Sequence, residues 1–244
     1  MSDDPASRIP SAPRIVRRAA RADVAPADLR VAAPQPGGWI RTMLEYFGLA
    51  RPRRVERVVD RAGLAAFLHT RASFVAQTSL YGYLRTRAGM RYPELFDDDP
   101  FVASINIAKW HMWLACLSDL AVYAGGMLQR AGAATPGQVG ALVQALVARI
   151  LDETGVPGDA GPGFAEHAQQ VRARLALVDW AAVDDGEQAF SASPDALIRW
   201  APVLDELKQL DEAIVRNSVR FRWQEVRRDL RACLDASAVL GDAA

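Results

Sequence analysis

Two side chains of the sequence could form a hydrolytic pair, with Ser79 as nucleophile and His111 as general base. A nucleophilic serine needs a base within hydrogen-bond reach, and many serine hydrolases present it on a GxSxG turn. The sequence contains no GxSxG, and Ser79 lies in a helical pattern, where a hydroxyl usually bonds to its own backbone. An esterase-type hydrolase is therefore an alternative function, and it requires Ser79 Oγ and a histidine nitrogen within hydrogen-bond distance in one pocket.

The sequence has no recognisable metal or cofactor motif. No glutamate stands three residues before any of the three histidines, so the ExxH motif of di-iron bundles is absent. No HxxxH pair offers zinc a chelate on one helix. The triplet Asp97 to Asp99 lacks the alternating ligands and the terminal glutamate of a calcium loop, and glycine-rich phosphate loops are also missing. We expect no metal and no cofactor.

A polar stripe crosses the most apolar helical segment of the chain. Asn106, Lys109 and Asp119 interrupt a run rich in tryptophan, leucine and alanine. Ionisable groups in such a run argue against a membrane-spanning helix and predict a buried polar network. The same helix, over about residues 101–129, could instead line a pocket for a small apolar ligand. That alternative requires a cavity of roughly 300–1,000 Å³.

Apolar residues recur at helical spacing through most of the sequence, which predicts an all-α fold. We expect a single bundle of six or seven helices. The longer patterns end or begin at cap signals, such as Gly89, Thr135-Pro136 and the Asp97 to Pro100 segment before the central helix. Gly125-Gly126 is predicted to be a helix-packing or kinking pair. The longer predicted helices cover about residues 39–49, 60–88, 101–129, 136–154, 164–182 and 203–237, and residues 90–100 are predicted to form a loop.

Composition divides the chain into a tail and a bundle. Residues 1–37 are rich in alanine, proline and arginine and have no aromatic side chain, so we expect a disordered tail. Residues 38–240 are expected to form the bundle domain. The proline- and glycine-rich segment 155–163 is the most plausible internal linker.

The short helix predicted at residues 39–49 is the best candidate for a partner-binding surface. Trp39, Met43 and Phe47 fall on one face, and Arg51, Arg53 and Arg54 follow the helix. Aromatic side chains beside a cluster of arginines suit a groove on a partner protein or the surface of an anionic membrane. The loop at residues 90–100 is a second candidate surface.

Charge and cysteine content narrow the class of protein. The sequence has 29 basic and 29 acidic residues, and this balance argues against a dedicated nucleic-acid binder. The charge is uneven, because residues 92–212 have a net charge of −11 and residues 41–91 have +7. The two cysteines lie far apart in the sequence in apolar surroundings, so we expect both thiols to be reduced. The first residues show no apolar leader, so we expect a cytoplasmic protein. If it contacts a membrane, we expect it to do so peripherally.

The segment FVAQTSLYGYLRTRAGMRYPELFDDDPFVASINIAKWHMWLACLSDLAVY at residues 74–123 resembles an uncharacterised family of bacterial helical proteins. The segment NSVRFRWQEVRR at residues 217–228 resembles the same family. Some members are automatically labelled "esterase", so the resemblance implies an all-helical fold and names a hydrolase activity. It assigns no catalytic residue.

The sequence thus predicts a non-catalytic interaction protein, an adaptor or assembly factor in the cytoplasm that binds a protein partner. The two alternatives are an esterase-type hydrolase and a bundle that binds a small apolar ligand. The sequence does not identify the partner or the oligomeric state.

Overall fold

The structure is a computed structural model that describes residues 56–242 of the chain. These residues form seven α-helices and one 3-10 helix, and the described part contains no strand, so the predicted all-α class is confirmed. The predicted tail at residues 1–37 and the predicted helix at residues 39–49 lie outside the described residues. The α-helices are α1 (Arg61–Ala88), α2 (Asp99–Arg130), α3 (Pro136–Thr154), α4 (Phe164–Ala176), α5 (Ala192–Trp200), α6 (Asp205–Cys233) and α7 (Ala236–Gly241).

Helix α2 is the centre of the bundle. Every residue from 111 to 126 is buried, as expected for a helix whose apolar side chains cover its whole circumference. Helices α1, α3, α4 and α5 all pack against it. These four helices therefore surround α2, and the side chains on each face of α2 contact a different helix.

Local cap signals set the ends of the helices. The Asp98 carboxylate accepts a hydrogen bond from the Phe101 N–H at the start of α2, with Pro100 in the first turn. Thr135 and Gln138 form a reciprocal capping box at the start of α3. Gly89 and Gly155 end α1 and α3 with positive φ angles of 55° and 62°, which suit glycine because it has no Cβ.

Residues 89–97 differ from the predicted loop, because they form a 3-10 helix, Gly89–Asp97. Short 3-10 turns need only i to i+3 hydrogen bonds and tolerate Pro93 inside the segment. The rings of Tyr92 and Phe96 meet edge to face, with their centroids 5.2 Å apart. Met90 is almost fully exposed at the start of this segment.

The predicted helix 164–182 ends early, at Ala176, because Trp180 leaves the helical path to pack between α2 and α3. Its ring lies against Gly125 of α2 and Gly140 of α3, where a Cβ atom would overlap it. Val183 covers Gly126 in the same way. The glycine pair is therefore a packing pair, and the gap that it leaves on α2 is filled by side chains that follow α4.

The predicted last helix, 203–237, is divided at Leu234. Val58 forms an isolated bridge to Leu234, with the Val58 N–H donating to the Cys233 carbonyl at 2.9 Å. The Asp235 N–H donates in turn to the Val58 carbonyl at 2.9 Å. These bonds occupy backbone groups that a continuous helix would use itself, so α6 ends at Cys233 and α7 begins at Ala236. The two ends of the described chain are joined by this contact.

Replacing Gly125 by alanine should lower the free energy of unfolding by about 1–3 kcal/mol, because the added methyl group overlaps the Trp180 ring in a filled core. Gly137→Ala is the matched control, since nothing lies within 4 Å of its Cβ position. We expect this control to be neutral or slightly stabilising, by at most about 1 kcal/mol. Urea unfolding of both variants measures the difference, and equal effects would contradict this account of the packing.

Candidate functional site

A pocket with a volume of about 320 Å³ lies where α2, α4 and α5 meet. Helix α2 contributes His111, helix α4 contributes His167, and helix α5 contributes Arg199 and Trp200. This volume is at the lower end of the range for small-molecule sites. The other described residues that line the pocket are Ala115, Gly163, Glu166, Gln170, Ala192, Asp195 and Ala196.

The His111 ring contacts the rings of Trp200 and His167. Trp200 stacks on one side, with centroids 3.5 Å apart and planes 7° from parallel. His167 lies beside it, with ring planes 15° apart. The Nδ1 atoms of the two histidines are 2.9 Å apart, so one imidazole donates the hydrogen and the other accepts it. Such a bond requires at least one neutral ring.

Burial keeps the histidine pair neutral near pH 7. It lowers the pKa of His111 to about 4, and the neighbouring His167 and Arg199 act in the same direction. Burial also lowers the pKa of His167, with Arg199 as the second cause. His111 is only 1% exposed, and its Nε2 atom has no hydrogen-bond partner. A buried ring nitrogen without a hydrogen-bond partner is energetically costly.

Arg199 supplies the free positive charge of the pocket. Its guanidinium lies over the Trp200 ring, 5.3 Å from the centroid, and it forms no ion pair with any residue from 56 to 242. Asp195, one turn earlier on α5, is already bound by Arg216. The guanidinium of Arg199 therefore keeps its fork of N–H donors for another group.

A buried carboxylate, Asp119, fixes the helices that carry this pocket. Its Oδ1 accepts from Arg174 Nη1 on α4 at 2.7 Å, and its Oδ2 accepts from the Ser193 N–H at 2.8 Å and the Ser193 hydroxyl at 2.7 Å. Trp223 on α6 donates to the same hydroxyl at 2.9 Å. The N–H groups of Ala192 and Ser193 begin α5 and have no acceptor within that helix, so Asp119 on another helix supplies one. One carboxylate thus links α2, α4, α5 and α6.

The predicted polar stripe divides into two separate clusters. Lys109 Nζ lies 3.3 Å from Asn106 Oδ1 and 3.3 Å from Asp159, and Trp110 Nε1 donates to Asp159 at 2.6 Å. These groups lie near the surface, whereas Asp119 is fully buried in the Arg174 cluster. The hydrogen bond from Trp110 and the charge of Lys109 lower the pKa of Asp159. Lys109 therefore interacts with Asn106 and Asp159, Asp119 interacts with Arg174, and the three predicted residues do not form one network.

Ser79 and His111 are not brought into a hydrogen bond. Ser79 is buried in α1, and its hydroxyl has no hydrogen-bond partner, whereas Nδ1 of His111 contacts His167. Ser79 does not line the pocket, and none of the described lining residues is a serine, threonine or cysteine. The geometry that the esterase alternative requires between these two residues is absent.

The sequence-predicted partner residues Trp39, Met43, Phe47, Arg51, Arg53 and Arg54 lie outside the described residues. The structure places three residues in the pocket that sequence reasoning did not assign, His167, Arg199 and Trp200. His111 and His167 are 56 positions apart, so no spacing rule could pair them. His111 is one of several polar residues in the apolar run, and the sequence named it only as the base of the esterase alternative.

The chain matches no protein-family model, no curated protein and no solved structure. Over residues 56–242, no helix combines the length and the apolar character that crossing a membrane requires. The same residues contain no group of three or more histidine, cysteine, aspartate or glutamate side chains arranged to hold a metal ion.

Acid should destabilise the protein through His111. Its pKa is about 4 when folded and about 6.5 in an unfolded chain, so the unfolded state binds more protons between these values. The contribution is fully present above about pH 6.5 and is lost as the pH falls towards 4. The loss is at most about 3 kcal/mol, at roughly 1.4 kcal/mol per pKa unit. Urea unfolding from about pH 7 to about pH 4 measures it.

His111→Phe keeps an aromatic ring on Trp200 but removes the titration, so its stability should depend less on pH than that of the wild type over the same range. The control is His69→Gln, because the His69 side chain is exposed on α1. An identical pH dependence in wild type and His111→Phe would show that the buried imidazole is not the group responsible.

Asp119→Ala should lower the free energy of unfolding by about 3–5 kcal/mol, because it leaves Arg174 and the α5 N–H groups without their acceptor. Glu153→Ala is the control, since Glu153 forms an exposed pair with Arg149 one turn away, worth at most about 0.5 kcal/mol. Chemical unfolding monitored by circular dichroism compares the two. A loss in Asp119→Ala as small as that in the control would contradict the assigned role.

Proposed function

We propose that the protein binds a small organic acid in the pocket between α2, α4 and α5. The observation that carries the proposal is the unpaired guanidinium of Arg199 beside His111, whose buried Nε2 also lacks a partner. Arginine binds a carboxylate through two parallel hydrogen bonds, and these charge-assisted bonds are stronger than neutral ones. A carboxylate at Arg199 would pair with a guanidinium that is exposed to solvent and forms no ion pair with the described residues.

The neutral histidines complete the recognition of an organic acid. A neutral imidazole has one donor and one acceptor, so each ring can bind a hydroxyl, amide or carboxylate group of the ligand. The volume of about 320 Å³ suits a molecule of metabolite size. Six of the eleven lining residues are polar or charged, and Asp195 among them is already bound by Arg216, so we propose a ligand with an acid group for Arg199 and an organic part for the apolar remainder of the lining. None of the described lining residues is a serine, threonine or cysteine, which favours binding over covalent catalysis through a hydroxyl or a thiol.

Protein binding through Trp39 to Arg54 stays a prediction, as does a cytoplasmic location with contact to a membrane surface. The adaptor hypothesis depends on residues that lie outside the described part of the chain. The pocket needs none of those residues, so the two roles can be tested separately.

The test is a titration followed by the side-chain nitrogen resonances of the three histidines in two-dimensional NMR. Benzoate and succinate are the organic-acid probes, and inorganic phosphate is the anion without an organic part. An acid in the pocket should shift the signals of His111 and His167 and leave the exposed His69 unchanged.

Arg199→Gln should weaken the binding of the acids by roughly tenfold or more, since it removes the charge that holds the carboxylate. Arg149→Gln, which alters an exposed arginine on α3, should bind like the wild type. A response to phosphate as strong as that to the acids would instead indicate a general anion site. The absence of any shift at His111 and His167 with all three probes would contradict the proposal.

A further inference from the structure

Helix α6 has apolar side chains on two opposite faces. One face is buried in the bundle and includes Val219, Trp223 and Leu230. The opposite face carries Leu210, Ile214 and Phe221, whose exposed fractions are 77%, 72% and 72%. Scattered apolar residues are normal on protein surfaces, but these three large side chains lie on one face of the helix and form an exposed row, with Leu210 one turn and Phe221 two turns from Ile214. This row has no partner among the described residues.

The spacing of the row is that of a coiled-coil seam. Its positions alternate between three and four residues apart, and they hold Leu207, Leu210, Ile214, Asn217, Phe221, Gln224 and Arg228. Side chains at this spacing pack into the holes of a second helix that lies almost parallel to the first. The row also holds the polar residues Asn217, Gln224 and Arg228, and polar residues at such positions restrict the register and the oligomeric state of a coiled coil. The row therefore fits another helix better than an irregular surface.

The charge of α6 indicates which helix fits. The first third of α6, from Asp205 to Ile214, has four acids and one lysine. The remainder, from Val215 to Cys233, has six arginines and two acids. A parallel copy would place acid against acid and arginine against arginine. An antiparallel copy places the acidic part of each helix against the basic part of the other.

We propose that the row binds the same row of a second copy of this chain, with the two α6 helices antiparallel about a twofold axis. Each helix of 29 residues is about 43 Å long, so the seam can extend well beyond the three exposed side chains. Glu206 and Arg220 lie on the same side of the row, four turns apart, and both are exposed. In the antiparallel pair, Glu206 of one copy lies beside Arg220 of the other. This dimer is independent of the proposed pocket ligand.

The first test is the mass of the full chain in solution, measured by sedimentation equilibrium over a range of concentrations. The wild type should dimerise. Ile214→Glu should raise the dissociation constant by about tenfold or more, because it places a charge in the apolar seam. Leu177→Glu is the matched control, since Leu177 is an apolar side chain that is 86% exposed at the end of α4. This control should dimerise like the wild type.

A charge-swap series then tests the direction of the helices. Arg220→Glu should weaken the dimer, since it places two glutamates together in the antiparallel pair, and the double variant Glu206→Arg, Arg220→Glu should restore it. In a parallel pair the double variant would restore nothing, because each residue faces its own copy. A wild type that is monomeric at all concentrations would overturn the proposal, and so would equal weakening by Ile214→Glu and Leu177→Glu.

Discussion

The buried carboxylate of Asp119 is the interaction on which the arrangement of the site depends. A carboxylate removed from water is unstable unless its oxygens accept several hydrogen bonds. Burial raises the pKa of Asp119, while Arg174 and Ser193 oppose the rise by bonding to the ionised form. Those bonds come from the two helices that surround the pocket, α4 and α5. The requirement to satisfy one charge therefore sets where His167, Arg199 and Trp200 lie relative to α2.

The pocket in turn contains groups whose interactions are incomplete. His111 is stacked and buried, yet its Nε2 atom has no hydrogen-bond partner, and the exposed Arg199 forms no ion pair with the described residues. The Asp119 cluster lies on the same face of α2, and there every oxygen of the carboxylate is occupied. The Asp119 cluster, whose hydrogen bonds are complete, therefore has a structural role, whereas the groups of the pocket are the candidates for binding. A polar group left unsatisfied next to a cavity is a stronger sign of a ligand than polarity alone.

The fold class and most helix positions could be predicted from the sequence, because helical periodicity and cap residues act locally. Asp98, Thr135 and Gly155 end or begin helices as their types predict. The errors arise where distant residues decide the backbone. Trp180 ends α4 early because it fills the space over Gly125 and Gly140, and Val58 divides the last helix by bonding to Cys233 and Asp235. His111 and His167 likewise meet only after α2 and α4 have packed.

The central claim is that the pocket between α2, α4 and α5 binds the carboxylate of a small organic acid. A crystal structure of the full chain grown with benzoate tests this claim most directly. We predict density for the carboxylate within hydrogen-bond distance of the Arg199 guanidinium. Benzoate bound elsewhere, or a pocket closed by Arg199 pairing with a protein carboxylate, would contradict the account.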